Sequence, residues 1–204
     1  HDNKTARALC RLQENPAFIR IAGHGSAIFA TWAPNLYKFY GNYMDQIIEH
    51  NPSIYYNFPN SIFASATYNF GPQTVLLEHL DHLNYIFGWC SITALGSYDY
   101  TKGGHLILFD LRMVIEFPPG WTILIPSSYL RHGNTDIGPG EKRFSFTQYT
   151  SGSLFRYVDN SYRMRTQMSS AERKETDLKQ RERMRADLNL YSTLEELKDL
   201  YNLP

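Results

Sequence analysis

The chain has 204 residues, 43% of them apolar, with 15 Tyr and 12 Phe. This suits one folded domain with a sizeable core and excludes a disordered chain. Formal net charge is zero, and residues 1–160 carry 11 basic and 12 acidic side chains, so any polyanion would have to meet a local patch.

Residues 1–54 read as a helical layer. Ala6, Leu9 and Cys10 share a face, as do Leu36, Phe39 and Tyr40, and then Tyr43, Ile47 and Ile48. Pro16 and Pro34 divide the run, and Pro34 suits an early helical position. Residues 55–158 change to short β runs: Phe63–Phe70, Thr74–Asp81, Cys90–Leu95, His105–Phe109, Val114–Phe117, Thr122–Ile125 and Arg143–Tyr149. Gly71-Pro72, Gly103-Gly104, Pro118-Pro119-Gly120 and Gly138-Pro139-Gly140 mark the turns. Strands of this number and spacing predict a sandwich or jelly roll. Residues 159–204 form a charged helical extension, with capping boxes at Ser169/Glu172 and Thr193/Glu196 and a stripe of Met184, Leu188 and Tyr191. Arg181, Arg183 and Arg185 there read as a solvated face before a phosphate contact.

Cys10 and Cys90 form no Cys-x-x-Cys pair, which argues against a zinc cluster and for a reducing intracellular setting. No apolar run approaches membrane-spanning length, so no membrane partner is expected. The chain starts at His1, without Met and without a visible signal peptide.

The residues that carry chemistry begin at Glu78-His-Leu-Asp-His-Leu-Asn84. On a strand, residues two apart face one way, so His79 and Asp81 would point together and His82 away. A histidine and a carboxylate so placed supply two arms of a facial metal triad. His132, in Ser-Ser-Tyr-Leu-Arg-His-Gly-Asn, follows a strand and its turn and is the third candidate. Period two then puts Arg143, Ser145, Thr147 and Tyr149 on one face and Phe144 and Phe146 on the other. An inward guanidinium needs an anionic partner, which a dicarboxylate would supply, gripped by Arg143 with Ser145 as a further donor. His1, His24 and His50 read as structural, and Asp99 and Asp110 as turn residues.

Together these residues resemble the Fe(II)- and 2-oxoglutarate-dependent dioxygenases. The order His-x-Asp, Gly-Gly-His-Leu, distal His and Arg-x-Ser is theirs, between Glu78 and Tyr149. The finer resemblance is to the TET/JBP group and its compact fungal branch. It rests on His79-Leu-Asp81-His-Leu-Asn84, Arg143-Phe-Ser145-x-x-x-Tyr149 and Phe87-Gly-Trp-Cys-Ser-Ile-Thr-Ala-Leu-Gly. The resemblance implies an α+β fold, a double-stranded β-helix (jelly-roll) core flanked by N-terminal and C-terminal helices. It implies Fe(II) on His79, Asp81 and His132, and 2-oxoglutarate on Arg143 and Ser145 beside His105, with O2 as co-reactant. Asn69 is the candidate for the cosubstrate's 1-carboxylate. Asn84 would contact a flipped methylated base, Tyr149 would stack on it, and Cys90 and Ile92 would line the space around its methyl group. The implied reaction is oxidation of 5-methylcytosine in DNA, by a monomer acting in the nucleus. Two departures stand out: Ser151 occupies the place of a base-contacting histidine, and the cysteine-rich zinc region has no counterpart. The same chemistry on N6-methyladenine, RNA, a protein or a small molecule stays open, as does a metal-free binding module.

Overall fold

The computed structural model describes residues 2–203, without the side chains of 183–186. Readings placed on His1, Arg183, Met184 and Arg185 therefore lie outside the described residues.

Three helices open the chain: α1 (Asn3–Gln13), α2 (Pro16–Trp32) and α3 (Pro34–His50). The Asn15 side chain accepts from the Ala17 amide at 2.9 Å and caps α2, with Pro16 in its first turn. Ala33 precedes a proline, which disfavours helical backbone, and there the chain breaks before α3. Ala22, Gly25, Ser26 and Phe29 bury one face of α2, and Leu36, Tyr40, Met44 and Ile47 one face of α3. The α2 stripe covers the outer face of a sheet, and α3 packs on α2. Gly25 permits the approach: a Cβ there would sit 2.3 Å from Ser91 Oγ.

The core is a jelly roll of two antiparallel sheets. The larger has the order β1 (Ser65–Phe70), β7 (Lys142–Tyr149), β2 (Cys90–Ser97) and β5 (Thr122–Ile125). The smaller has the order β4 (Met113–Ile115), β3 (Leu106–Leu108) and β6 (His132–Asn134). Cys90, Ile92 and Ala94 of β2 pack between the sheets on Leu106 and Leu108 of β3. Along β7, Phe146 turns the other way and packs near Phe18 and Phe58 beneath the helices.

Two expectations are corrected. Thr74–Asp81 is not a strand. It is extended chain held by isolated bridges, Gln73 to Arg143 of the large sheet and His79 to His132 of the small one. Its backbone partners lie on different sheets, so no continuous ladder forms along it. Conversely, His132–Asn134 is a strand, β6, where none was expected, although His132 does follow β5 and its turn.

The chain closes with α4 (Gly152–Asp159), α5 (Ser170–Asp187) and α6 (Leu194–Tyr201). Both capping boxes form: Glu172 N donates to Ser169 Oγ at 3.3 Å and Glu196 N to Thr193 Oγ1 at 3.2 Å, each answered by the glutamate carboxylate. Of the expected apolar stripe, Tyr191 packs near Trp89 while Leu188 is exposed. Arg163 and Arg165 are paired with Glu172 and Asp177. Among the described residues no helix is long and apolar enough to cross a membrane.

Candidate active site

A cavity of about 470 Å³ opens between the two sheets, under the 74–84 segment. Its wall includes His79, Asp81 and His132, whose ligand-capable atoms all lie within 4.8 Å of one another. His79 Nε2 is 3.9 Å from one Asp81 oxygen, and His132 Nε2 is 4.0 Å from the other. The exchange of main-chain hydrogen bonds between His79 and His132, at 3.1 Å each way, sets this spacing.

Second contacts fix the rings. His79 Nδ1 lies 2.8 Å from Leu77 O, and His132 Nδ1 lies 2.9 Å from Leu130 O. A carbonyl only accepts, so each Nδ1 carries a proton and each Nε2 is the ring nitrogen turned toward Asp81. Burial pushes the His132 pKa down, with His79 acting the same way, and so keeps its imidazole neutral. Two imidazoles and a carboxylate converging in this way are the donor set of a 2-His-1-carboxylate centre, so the residues fit Fe(II).

Across the cavity, β7 presents Arg143, Ser145, Thr147 and Tyr149, as its alternation predicted. Arg143 is 2% exposed, yet none of its salt-bridge or hydrogen-bond partners among the described residues is a carboxylate. Nη1 donates to Thr74 O at 3.3 Å, and Nε has no partner. Burial lowers the pKa of this guanidinium, opposed by contact with the Tyr98 phenol, which itself donates to Phe117 O. Sequence reasoning missed Tyr98; it lies just beyond β2, outside any alternating pattern. A buried cation facing a cavity without a counter-charge is costly, and an anion from solution would relieve it. The residues therefore also fit a dicarboxylate.

The other predicted residues divide. Asn69 lines the cavity and donates to Ser145 Oγ at 3.0 Å, so it stands at the Ser145 end. Asn84 is on the wall, its Nδ2 donating to Ser127 Oγ at 3.1 Å with Asp81 Oδ2 at 3.4 Å. Ile92 lines the cavity, but Cys90 does not; it is fully buried behind the wall, where burial, and then the nearby Asp81 charge, push its thiol up to about 12. His105 is not on the wall either, because its ring turns to Tyr100 O at 2.8 Å. His82, expected to face away, does line the cavity, since the segment lacks strand alternation. Ser151 caps α4, accepting from Ser153 N at 3.3 Å. Asn134, also missed, lines the cavity two residues after His132; the period-two spacing in His-Gly-Asn was the available signal.

No protein-family model matches the chain, and no curated protein matches it. Similar solved structures include NgTET1 in complex with 5mC DNA, at TM-score 0.43 and 17% identity, over 55% of this chain and 47% of that one. Others are an RmlC-like cupin from Desulfovibrio desulfuricans (0.30, 20%, 41% and 69%) and the viral collagen prolyl hydroxylase of Paramecium bursaria Chlorella virus-1 with 2OG (0.31, 11%, 53% and 68%). The chain thus spans about half the length of the NgTET1 chain. At these scores the likenesses decide nothing about chemistry, which rests on the residues themselves.

Proposed function

We propose that the protein is an Fe(II)- and 2-oxoglutarate-dependent oxygenase acting on a methylated DNA base, 5-methylcytosine first. One observation carries the reading: a His-Asp-His triad and a buried arginine without a carboxylate partner share one cavity. His79, Asp81 and His132 would hold the metal. Arg143, with Ser145 and Asn69 beside it, would hold the distal carboxylate of the cosubstrate. Bound together, Fe(II) and 2-oxoglutarate supply O2-dependent hydroxylation of an unactivated C–H bond, with succinate and carbon dioxide released. The chain's own part is placement and exclusion of water. Ile92 and Leu106 give the cavity an apolar floor. The Asn84 amide nitrogen donates to Ser127 and Asp81, which leaves its carbonyl to accept from a base's amino group. Tyr149 offers a ring for stacking.

Incubation with DNA carrying each methylated base, followed by nucleoside mass spectrometry and succinate assay, tests the reading. Tyr149→Ala and Asn84→Ala should keep succinate release without substrate, yet lose tenfold or more in base oxidation, about 1.4 kcal/mol. Parent-like oxidation by both variants would remove these two residues from recognition. Tyr98→Phe should raise the KM for 2-oxoglutarate about tenfold, since it removes one contact to a charged group worth roughly 1.5–3 kcal/mol. An unchanged KM would leave Tyr98 without a role at Arg143.

A second reading has a specific observation behind it: residues 39–101 contain no Lys or Arg. Duplex binding draws on phosphate contacts, so the cavity mouth favours a substrate met by apolar surface, such as a small neutral molecule. Leu77 and Leu83 stand exposed in the segment that covers the cavity. Oxidation confined to small substrates, with no salt-dependent DNA binding, would favour this second reading.

A further inference from the structure

The pairing between residues 76–79 and β6 slips by one residue. His79 and His132 exchange both main-chain bonds, so a regular antiparallel register would next pair Leu77 with Asn134. Instead the Asn134 amide donates to Leu76 O at 2.9 Å. The Leu76 amide in turn donates to the Asn134 side-chain Oδ1 at 2.9 Å. One extra residue is thus taken up on the 76–79 side, as in a β-bulge. Gly133 lets the segments lie close, because a Cβ there would be 2.7 Å from Leu76 O. The slip has a chemical result: the Leu77 carbonyl, released from the ladder, receives the His79 Nδ1 proton at 2.8 Å.

We propose that Asn134 is a positioning residue that holds this slip and thereby sets the tautomer and direction of the His79 ring. The proposal rests on the metal-centre reading above. The Asn134 side chain is 6% exposed, and its Nδ2 donates to Thr74 O at 3.1 Å and Thr135 O at 2.9 Å while Oδ1 accepts from Leu76. Both N–H groups are used, so Asn134 has no donor left for a ligand, although it lines the cavity. The amide orientation is fixed, since reversing it would set oxygen against two carbonyls. Thr74 O also accepts from Arg143, so the clamp reaches the other end of the cavity.

The test is nitrogen-15 NMR of the histidine rings in metal-free protein, with divalent-metal titration beside it. The parent should show His79 protonated at Nδ1. Asn134→Ala should shift His79 toward a mixture of tautomers and weaken Mn(II) binding 10- to 100-fold, the range for loss of a group that orients a metal ligand. Asn134→Asp keeps an oxygen for the Leu76 amide but sets its other oxygen against the Thr74 and Thr135 carbonyls, so it too should scramble the tautomers; should the alanine variant fail to fold, this variant decides. A folded Asn134→Ala with parent tautomer and parent metal affinity would overturn the proposal, even if its thermal stability fell. So would a folded Asn134→Asp with the parent tautomer. A parent that binds no divalent metal would instead overturn the metal-centre reading, and the tautomer comparison would still report on Asn134.

Discussion

Arg143→Met should abolish 2-oxoglutarate binding and leave the metal-free protein as stable as the parent or more so. Methionine keeps the apolar stem packed in the wall while removing the charge. The main-chain pairing of β7 with β2 at Gly96 does not depend on the side chain. In the parent, a 2% exposed guanidinium is met by one backbone carbonyl and one phenol, and its Nε has no partner. That arrangement costs stability until an anion arrives, so removing the charge relieves the fold. A carboxylate gripped by two charge-assisted bonds gains about 1.5–3 kcal/mol from each. Their joint loss corresponds to an affinity drop of about 100-fold or more. Calorimetry of unfolding and of 2-oxoglutarate binding reads both halves. Arg143→Lys should recover only part of the affinity, because a point charge lacks the planar fork. Parent affinity in the methionine variant would remove Arg143 from the cosubstrate site.

Asp81→Ala should eliminate divalent-metal binding. In the parent, two Nε2 atoms and a carboxylate converge within 4.8 Å, and among the described residues the side-chain hydrogen bond to that carboxylate is the long one from Asn84, 3.4 Å. A cation gives all three ligand atoms one shared partner. Metal at 100 times its Kd should raise the parent's unfolding free energy by about 2.7 kcal/mol, provided the unfolded chain does not bind it. The alanine variant should gain nothing from the same addition, and its metal-free stability should match or exceed the parent's. Chelation should reverse the gain in the parent alone. An Asp81→Ala protein stabilised by metal to the parent's extent would move the binding site elsewhere.

How far the sequence led differs by element. In β7 the alternation from Arg143 to Tyr149 was legible because a half-buried strand sorts its residues by face, and the four polar positions do line the cavity. The helices were legible through spacing of apolar residues and through Pro16 and Pro34. β6 was not, because three residues, one of them glycine, carry no readable period. Cys90 and His105 were assigned from resemblance, and tertiary packing put the first behind the wall and turned the second to a loop carbonyl.

The sequence by itself determined the donor types, the inward face of β7 and the places where helical spacing gives way to short β runs. Those follow from local rules, since side-chain period and chain punctuation act over a few residues. Only the tertiary structure decided that His79, Asp81 and His132 meet, because the spacing of 79 and 132 depends on two main-chain bonds between segments 53 residues apart in sequence. It also decided that Arg143 has no carboxylate partner among the described residues, and that the 74–81 run, strand-like in composition, is instead an extended bridge between two sheets. Absence of a partner and a slip in register are properties of what surrounds a residue, and residue order alone does not specify surroundings.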